Sequence, residues 1–286
     1  MACFKPIKAF RDSSGTLFFR SVPGSNCFSL PCGQCVGCRL ERSRVWAARC
    51  MHEASLHSEN CFITLTYKDA PVSLDYRDFQ LFMKRLRKRF PRVRFYMCGE
   101  YGDQLSRPHF HACLFGVNFA DRVKFGRSLY RSPLLESLWP AGFSSIGEVT
   151  FESAAYVARY IMKKITGDLA ESHYLRIDPD TGEMIMLTPE FCHMSLKPGI
   201  GAGWIDKYLS DVYPDGEMVV RGCESKAPRY YDKLYRRLDR DSHDAMKHRR
   251  FCKSWDTSAL EKVTSRLVVR ELVAKARLGR LIRSQF

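Results

Sequence analysis

The sequence predicts an α+β protein in which an antiparallel sheet carries helices on one face. Three runs, residues 61–67, 92–100 and 109–116, are predicted to be strands, and the first is rich in β-branched and aromatic side chains. The second and third are joined by a polar turn of hairpin length, which makes them antiparallel neighbours. Helical patterns stand between these runs and after them. Strands that alternate with helices and include a hairpin are typical of an open antiparallel sheet with helices packed against it.

The composition indicates a folded protein with a polyanionic partner. The chain has 286 residues, of which 45% are hydrophobic, enough for one sizeable core plus an accessory module. Its formal net charge is +15, an excess that favours nucleic acid or an anionic membrane surface. No apolar run of membrane-spanning length and no signal-peptide pattern is present, so we expect a cytoplasmic protein with no membrane partner.

The first segment, residues 1–57, is predicted to be a cysteine-rich module followed by a basic helix over residues 39–57. Two residues separate Cys32 from Cys35 and Cys35 from Cys38, and in the cytoplasm such spacing favours metal binding over disulfides. A tetrahedral zinc ion needs a fourth ligand, for which the candidates are Cys3, Cys27 and Cys50. An iron-sulfur cluster of the ferredoxin type would need a cysteine where Arg42 stands. The remaining alternative is a group of reduced cysteines that binds no metal and only packs.

After the first strand, residues 74–90 have the pattern of an amphipathic helix. Phe79, Phe82, Met83 and Leu86 repeat at helical spacing, and Pro91 ends the pattern. The opposite face carries the cations Lys84, Arg85, Arg87, Lys88 and Arg89. That face is either solvated or a contact surface for DNA.

The third strand carries two histidines that can share a metal ion. His109 and His111 are two apart, so their imidazoles point to the same side of the sheet. Glu100 ends the neighbouring strand nine residues earlier, which suits an adjacent position and makes it our choice for a third ligand. Glu148 is the fallback. Two imidazoles and a carboxylate suit magnesium or manganese. The alternative is that Glu100 is simply an exposed carboxylate of the hairpin and binds no metal.

A short helix with the Ser132-Pro133 start and a strand over residues 144–150 lead to a further helix over residues 151–165. Tyr156 and Tyr160 are one helical turn apart there, and Lys163 and Lys164 follow. The lysines could stabilise a phenoxide or hold a phosphate. A pair of potential metal-binding histidines combined with a pair of tyrosines suggests phosphodiester chemistry through a phosphotyrosine. Tyrosine rings at this spacing can also simply pack in a core.

The rest of the chain is less informative. Turn signals at residues 177–183 and 213–217 predict two hairpins, and the glycine-rich residues 198–203 lack the Gly-Lys-Ser/Thr of a nucleotide-binding loop. Residues 226–286 hold 17 Lys and Arg against 7 Asp and Glu, a net of +10, and residues 260–283 should form a basic helix. Cations here could track phosphates, and nearby aromatic rings could stack on unpaired bases. The cations we favour are Arg229, Arg236 and Arg237, and the rings are Tyr230, Tyr231, Tyr235, Phe251 and Trp255.

Taken in this order, the motifs resemble those of the HUH endonucleases, which nick single-stranded DNA, and in particular the gokushovirus-type rolling-circle replication initiators of the Microviridae. Residues 61–67 resemble the first motif of that family, and His109 and His111 match its metal-binding motif. Tyr156 and Tyr160, with Lys163 after them, match its nucleophile motif, Y-x-x-x-Y-x-x-K. The cysteine-rich start and residues 196–201 and 228–233 are also similar, so the resemblance covers most of the chain.

The resemblance implies a ferredoxin-like sheet, magnesium or manganese at a nicking site, and Glu100 as a ligand. It implies an attack that leaves a 5′-phosphotyrosine and a free 3′-hydroxyl, followed by strand rejoining at termination. The partners would be single-stranded DNA at a phage replication origin and the host helicase and DNA polymerase, in the cytoplasm of a host bacterium. Because similar initiators carry a cysteine near the amino terminus, it also favours Cys3 as the fourth zinc ligand.

On this reading the chain divides into a zinc module at residues 1–57, an endonuclease core at 58–170, an extension at 171–225 and a basic helical region at 226–286. Three other functions remain open. A transposase or relaxase would use the same site on other DNA, and a non-enzymatic single-strand-binding or packaging protein would need no tyrosine. A zinc-containing transcription regulator would need a helix-turn-helix signal, which we do not find in the sequence.

Overall fold

The computed structural model describes residues 3–102, 105–126, 128–160, 164, 167, 169–177, 181–255 and 263–283. The chain forms two compact units, one of residues 1–42 together with 244–286 and one of residues 43–243. The four-part division of the sequence stays a prediction.

The first unit contains a small antiparallel sheet that the sequence did not predict. Its strands are β1 (Ile7–Arg11), β2 (Leu17–Phe18) and β3 (Asn26–Leu30), in the order β2-β1-β3. These strands are short and mostly exposed, so they lack the alternation of apolar side chains that identifies a half-buried strand.

The second unit is organised around a seven-stranded sheet and two small hairpins. Its strands are β4 (Asn60–Tyr67), β5 (Arg94–Tyr101), β6 (Pro108–Phe115), β7 (Val123–Phe125), β8 (Leu129–Arg131), β9 (Gly142–Gly147), β10 (Leu175–Ile177), β11 (Met184–Met186), β12 (Phe191–Met194), β13 (Glu217–Val220) and β14 (Cys223–Lys226). The described helices of the whole chain are α1 (Val36–Ala54), α2 (Tyr76–Arg89), α3 (Pro133–Leu138), α4 (Phe151–Tyr160), α5 (Leu169–Tyr174), α6 (Ala202–Lys207), α7 (Leu209–Val212), α8 (Arg229–Leu238), α9 (Arg240–Trp255) and α10 (Thr264–Arg283). None of them is both long and apolar enough to cross a membrane.

The large sheet is antiparallel, as predicted, with the order β12-β5-β6-β4-β9-β8-β7. The elements β4, α2, β5, β6, α3 and β9 occur in this order along the chain, with β7 and β8 inserted between β6 and α3. The strands among them lie in the order β5-β6-β4-β9 in the sheet. This is a ferredoxin-like arrangement. Asp75 and Ser132 fix the starts of its two helices, because their side chains accept hydrogen bonds from Arg77 N and Leu135 N at 2.8 and 3.1 Å.

Helices cover both faces of this sheet, not one face as we expected. On one face, Phe79 and Phe82 of α2 and Trp139 pack on Leu65 and Phe110. On the other face, α1 and α4 pack on β5 and β6 and bury Tyr96, Cys98 and Cys113. The side chains that α1 and α4 bury there are small, chiefly Ala47, Cys50, Ala54, Ala154, Val157 and Ala158. β5 and β6 are therefore buried almost continuously, and their sequences lack the alternation that would signal one exposed face.

The two motifs near residues 200 and 230 interlock. Gly199 N donates a hydrogen bond to the Tyr230 hydroxyl at 3.1 Å, and Arg49 donates to Ile200 O at 2.9 and 3.0 Å. A Cβ atom on Gly201 would lie 2.2 Å from the Tyr231 hydroxyl oxygen, and its φ is +79°. The glycine-rich loop therefore serves packing, and glycine is required because tyrosine rings occupy the space beside its backbone.

The predicted hairpin at residues 213–217 is wrong. Those residues join α7 to β13, whereas the hairpin of β13 and β14 turns at Arg221 and Gly222, both with positive φ. Such a two-residue turn matches the twist of paired strands. The other predicted hairpin, β10 with β11, is present.

Candidate metal and nucleophile site

Three side chains meet at the edge where β5 ends and β6 begins. Glu100 lies directly opposite His109 in the strand pairing, and His111 is two residues further along the same face. Glu100 Oε1 lies 2.7 Å from His109 Nε2 and 3.0 Å from His111 Nε2. Their potential ligand atoms all lie within 4.8 Å of one another. We call Glu100, His109 and His111 the triad.

The other nitrogen of each imidazole is also held. Nδ1 of His109 lies 3.0 Å from Arg107 O, and Nδ1 of His111 lies 2.9 Å from the hydroxyl of Thr64 on β4. A carbonyl oxygen only accepts, so Nδ1 of His109 carries a proton and a neutral ring turns the lone pair of Nε2 toward Glu100. Two lone pairs at this distance need a proton or a metal cation between them, and this donor set fits a divalent cation.

Glu100 is 1% exposed and still favours the charged form. Burial alone would raise its pKa, but the close contacts with His109 and His111 outweigh burial, and the pKa is lowered. The carboxylate is therefore ionised at neutral pH, the form a metal ligand needs.

Tyr156 on α4 lies beside the triad. Its ring stands edge-on to His111, with 5.2 Å between the ring centroids, and Phe62 stacks on the same imidazole at 5.6 Å. α4 buries Ala154, Val157 and Ala158 against the sheet, which leaves Tyr156 half-buried at the border of the packed face. The phenol is thus held close to a potential metal position without being sealed in the core.

The remaining predicted catalytic residues are described only in part. Tyr160 is the last residue of α4, and the described side chains stop before it. Lys163 lies outside the described residues, and Lys164 is half-buried. Glu148, the fallback ligand, is exposed after β9 and does not belong to the triad's ligand group.

A second ligand group forms in the amino-terminal unit. The sulfur atoms of Cys3, Cys32, Cys35 and Cys38 all lie within 4.8 Å of one another. Backbone N–H groups point at them: Phe4 N lies 3.3 Å from Cys35 Sγ, and Cys32 N lies 3.3 Å from Cys3 Sγ. Of the other candidate fourth ligands, Cys27 is exposed and Cys50 is buried in the core under α1.

The electrostatics of this group favour a thiolate at one position. Burial acts to raise the pKa of Cys35, but the N–H groups of Cys38 and Phe4 outweigh it and lower the pKa to about 6. Burial raises the pKa of Cys3. Four sulfurs at this spacing, with N–H donors aimed at them, fit a tetrahedral zinc ion.

The α2 cations that were predicted to bind DNA lie on the face of the sheet opposite the triad. Lys84, Arg85, Arg87 and Lys88 belong to α2, which covers the opposite face of the sheet. Arg85 donates to Leu138 O at 2.8 Å, and the Arg87 guanidinium lies 5.5 Å from the centre of the Phe95 ring. Two of the four cations are therefore engaged in packing the helix.

On α8, Arg229, Arg236 and Arg237 are exposed. Tyr231 and Tyr235 of the same helix are buried, so these two rings cannot stack on bases as we expected. Tyr231 bonds His52 through its hydroxyl at 2.9 Å, and Tyr235 stacks on Tyr213. Phe251 is exposed, and the described side chains do not include Trp255.

Sequence reasoning missed Thr64 and Phe62, which hold His111 from β4. Their position depends on the register of β4 against β6, in which Thr64 pairs with His111. The only signal in the sequence is the alternation in residues 61–67, which shows that Phe62, Thr64 and Thr66 share a face but not which strand they meet.

Comparisons with known proteins agree on one class. Residues 60–165 match the family model of the ORF2 class of replication-associated proteins. The chain is 33% identical over 258 residues to "Replication-associated protein VP4" of Bdellovibrio phage phiMH2K, covering 83% of this chain and 78% of that protein. It is 30% identical over 272 residues to "Replication-associated protein ORF2" of Spiroplasma virus 4, covering 87% and 78%. A third relative, "Replication-associated protein ORF4" of Chlamydia phage 1, is 29% identical over 74% of this chain and 54% of its own length. No solved structure matches.

Proposed function

The chain belongs to the family of replication-associated proteins of Microviridae-type phages, and we propose that it initiates replication by nicking circular phage DNA at the origin. The observation that carries the proposal is the edge-on contact of Tyr156 with His111, at 5.2 Å between ring centroids, beside the triad. A nucleophile next to a group of metal ligands suits attack on a phosphodiester.

A magnesium or manganese ion held by Glu100, His109 and His111 would polarise the scissile phosphate and stabilise charge on its oxygens. A phenol, with an ordinary pKa of about 10, is a weak nucleophile at neutral pH without such help. Arg107 O and Thr64 fix the imidazole orientations, so the ligand atoms need little rearrangement.

In the proposed reaction the Tyr156 oxygen forms a bond to phosphorus as the bond from phosphorus to the 3′ oxygen breaks. The phenol loses its proton, and the departing oxygen gains one. The products are a 5′-phosphotyrosine and a free 3′-hydroxyl for the host polymerase to extend, with a host helicase opening the duplex in the bacterial cytoplasm. Tyr160 would serve the second cleavage that ends a round and rejoins the strand, and Lys163 and Lys164 would stabilise phenoxide or phosphate.

The test is incubation of the protein with circular single-stranded DNA and manganese, followed by denaturing electrophoresis for a covalent adduct. His109→Ala and His111→Ala should abolish the adduct while most DNA affinity remains, because distributed cations supply most of the binding. His193→Ala, an exposed histidine of the same sheet, is the matched control and should form it normally. If the double variant His109→Ala, His111→Ala still formed the adduct in the presence of a metal chelator, the metal assignment would be contradicted. Binding without any adduct from the unmodified protein would instead favour a non-enzymatic single-strand-binding protein. Adduct formation with mobile-element ends but not with replicon origins would favour a transposase or relaxase.

We also propose a structural zinc ion held by Cys3, Cys32, Cys35 and Cys38. Thiolates prefer zinc, whereas the triad, with its hard carboxylate oxygen, exchanges magnesium and manganese. Elemental analysis should find one zinc per chain that survives removal of the exchangeable ion. Cys3→Ser should reduce zinc retention and Cys27→Ser should not. Zinc-free protein with freely titratable thiols would refute the site.

A further inference from the structure

The face of the sheet that carries the triad continues beyond it into an exposed groove. Thr64 and Thr66 of β4 lie opposite His111 and His109 and share their face. Phe143 and Ser145 of β9 lie opposite Thr66 and Thr64 and extend the row by one strand. The row of side chains therefore runs directly from the triad toward the β7–β8 hairpin.

The hairpin supplies the far wall of this groove. Tyr130 of β8 pairs with Ile146 and packs on the core of the opposite face, so its neighbours Leu129 and Arg131 face the triad side. Phe125 lies opposite Leu129 in the hairpin. The groove has a volume of about 280 Å³ and is lined by Thr66, Phe125, Leu129, Arg131, Phe143 and Ser145.

Two aromatic rings are exposed here without an evident structural reason. Phe125 and Phe143 are each 54% exposed, although large apolar side chains normally gain by burial. The Arg131 guanidinium lies 5.4 Å from the centre of the Phe125 ring and is paired with Glu136 at 2.8 Å, which holds it at the groove. Exposed rings beside a cation and hydroxyls are the features that bind unpaired bases and their phosphates.

The position of α4 leaves this groove open to a DNA strand that extends from the triad. α4 packs on Tyr96, Cys98 and Cys113, on the β5 and β6 side of the triad, whereas the groove lies over β4, β9 and β8. Three strand spacings separate β6 from β8, or about 14 Å. A strand whose phosphate lies at the triad can therefore reach the groove within a few nucleotides.

We propose that this groove binds an unpaired base of the DNA strand close to the scissile phosphate, stacked on Phe125 and Phe143. The inference rests on the proposed nicking function, because that function places a single strand at the triad. The base is recognised mainly through its π-face, so the groove holds the strand in position and tolerates different bases.

The test uses the full chain with tryptophan as a reporter of stacking. Phe125→Trp and Phe143→Trp should each lose fluorescence when a short oligothymidylate binds, whereas Val219→Trp, on the β13–β14 hairpin, should not. Anisotropy of a labelled oligothymidylate measures binding independently. A duplex of the same length should quench much less, because its bases are already stacked.

The double variant Phe125→Ala, Phe143→Ala should raise the Kd for oligothymidylate about tenfold, which is the range of one lost stacking contact. Its salt dependence should match that of the unmodified protein, because the slope reports phosphate contacts. Binding by the unmodified protein with no quenching of either reporter would overturn the groove proposal and leave the nicking proposal intact. Failure of the unmodified protein to bind any single strand would overturn both.

Discussion

At the scale of single residues, the sequence predicted that the three side chains of the triad come together, but not the residues that support them. His109, His111 and Glu100 follow from a two-residue spacing and one hairpin, both of which are local in the chain. Thr64 is 47 residues from His111, and the bond between them depends on a register that no local pattern specifies. Phe125 and Phe143 were missed for a similar reason, since an isolated phenylalanine gives no signal of its exposure.

We expect Tyr156→Phe and Tyr160→Phe each to retain adduct formation on a short single-stranded origin oligonucleotide, and the double variant to form none. One helical turn separates the two residues, so either hydroxyl can approach the same ion after a small shift. Denaturing electrophoresis of the labelled oligonucleotide measures the adduct. If one single variant is inactive and the other matches the unmodified protein, one tyrosine acts alone and the two-nucleophile mechanism fails.

His52 should make the fold sensitive to acid. Burial lowers its pKa to about 4, and its ring is stacked on Trp204 with 3.6 Å between centroids. Between the unfolded pKa of about 6.5 and the folded value of about 4, the unfolded chain binds a proton that the folded protein excludes, so stability falls as pH falls. The loss by pH 4 amounts to about 3 kcal/mol.

Urea unfolding at pH 7 and near pH 4.5 measures this contribution. His52→Gln has no titrating ring, so its free energy of unfolding should fall less between the two pH values than that of the unmodified protein. The difference between the two proteins isolates His52 from the other titrating groups. Equal losses in both would show that His52 does not carry the effect.

At the scale of elements, strong local patterns identified the helices and strands that pack in the ordinary way. The apolar spacing in α2 and the Ser132-Pro133 start of α3 were sufficient to predict both. The small sheet of β1, β2 and β3 was missed because its strands bury little, and the turn at residues 213–217 was misassigned because Pro and Gly mark turns of any kind. The helices α1 and α4 were predicted, but their position on the second face of the sheet was missed. They contact the sheet through small side chains, whose apolar pattern is weak.

Gly201→Ala should destabilise the protein by about 2 to 5 kcal/mol, through the strain of a positive φ and the overlap with Tyr231. Gly222→Ala is the matched control, because Gly222 has φ +74° but no neighbour within 4 Å of an added Cβ atom. It should lose only the strain contribution, about 1 to 2 kcal/mol. Thermal and urea unfolding give both values. Similar losses in the two variants would mean that Tyr231 moves aside at little cost.

At the scale of the whole molecule, the sheet separates two layers with different tasks. The layer of α1 and α4 holds Tyr156 over the triad, and the layer of α2 and α3 closes the main core. Net charge and family resemblance predicted a nucleic-acid partner, but charge alone could not tell which cations face it. That assignment depends on which side of the sheet each helix covers, a property of the assembled fold.

Lys84→Ala combined with Lys88→Ala should therefore change the Kd for oligothymidylate less than twofold and leave the salt dependence unchanged. Both lysines stand on the layer opposite the triad. Anisotropy titrations across a salt series measure both quantities, and each lost phosphate contact lowers the slope by about 0.7 for a single strand. A slope reduced by one contact or more would show that the strand also passes over α2.

The double covering of β5 and β6 has a consequence for the kinetics of ion exchange. Central strands packed on both sides open rarely, so local unfolding of β5 and β6 would seldom release an ion bound by the triad. The side chains of Glu100 and His111 are 2% and 8% exposed, whereas that of His109 is 16% exposed. We therefore expect an ion bound by the triad to exchange with solvent past His109, the most exposed of the three side chains.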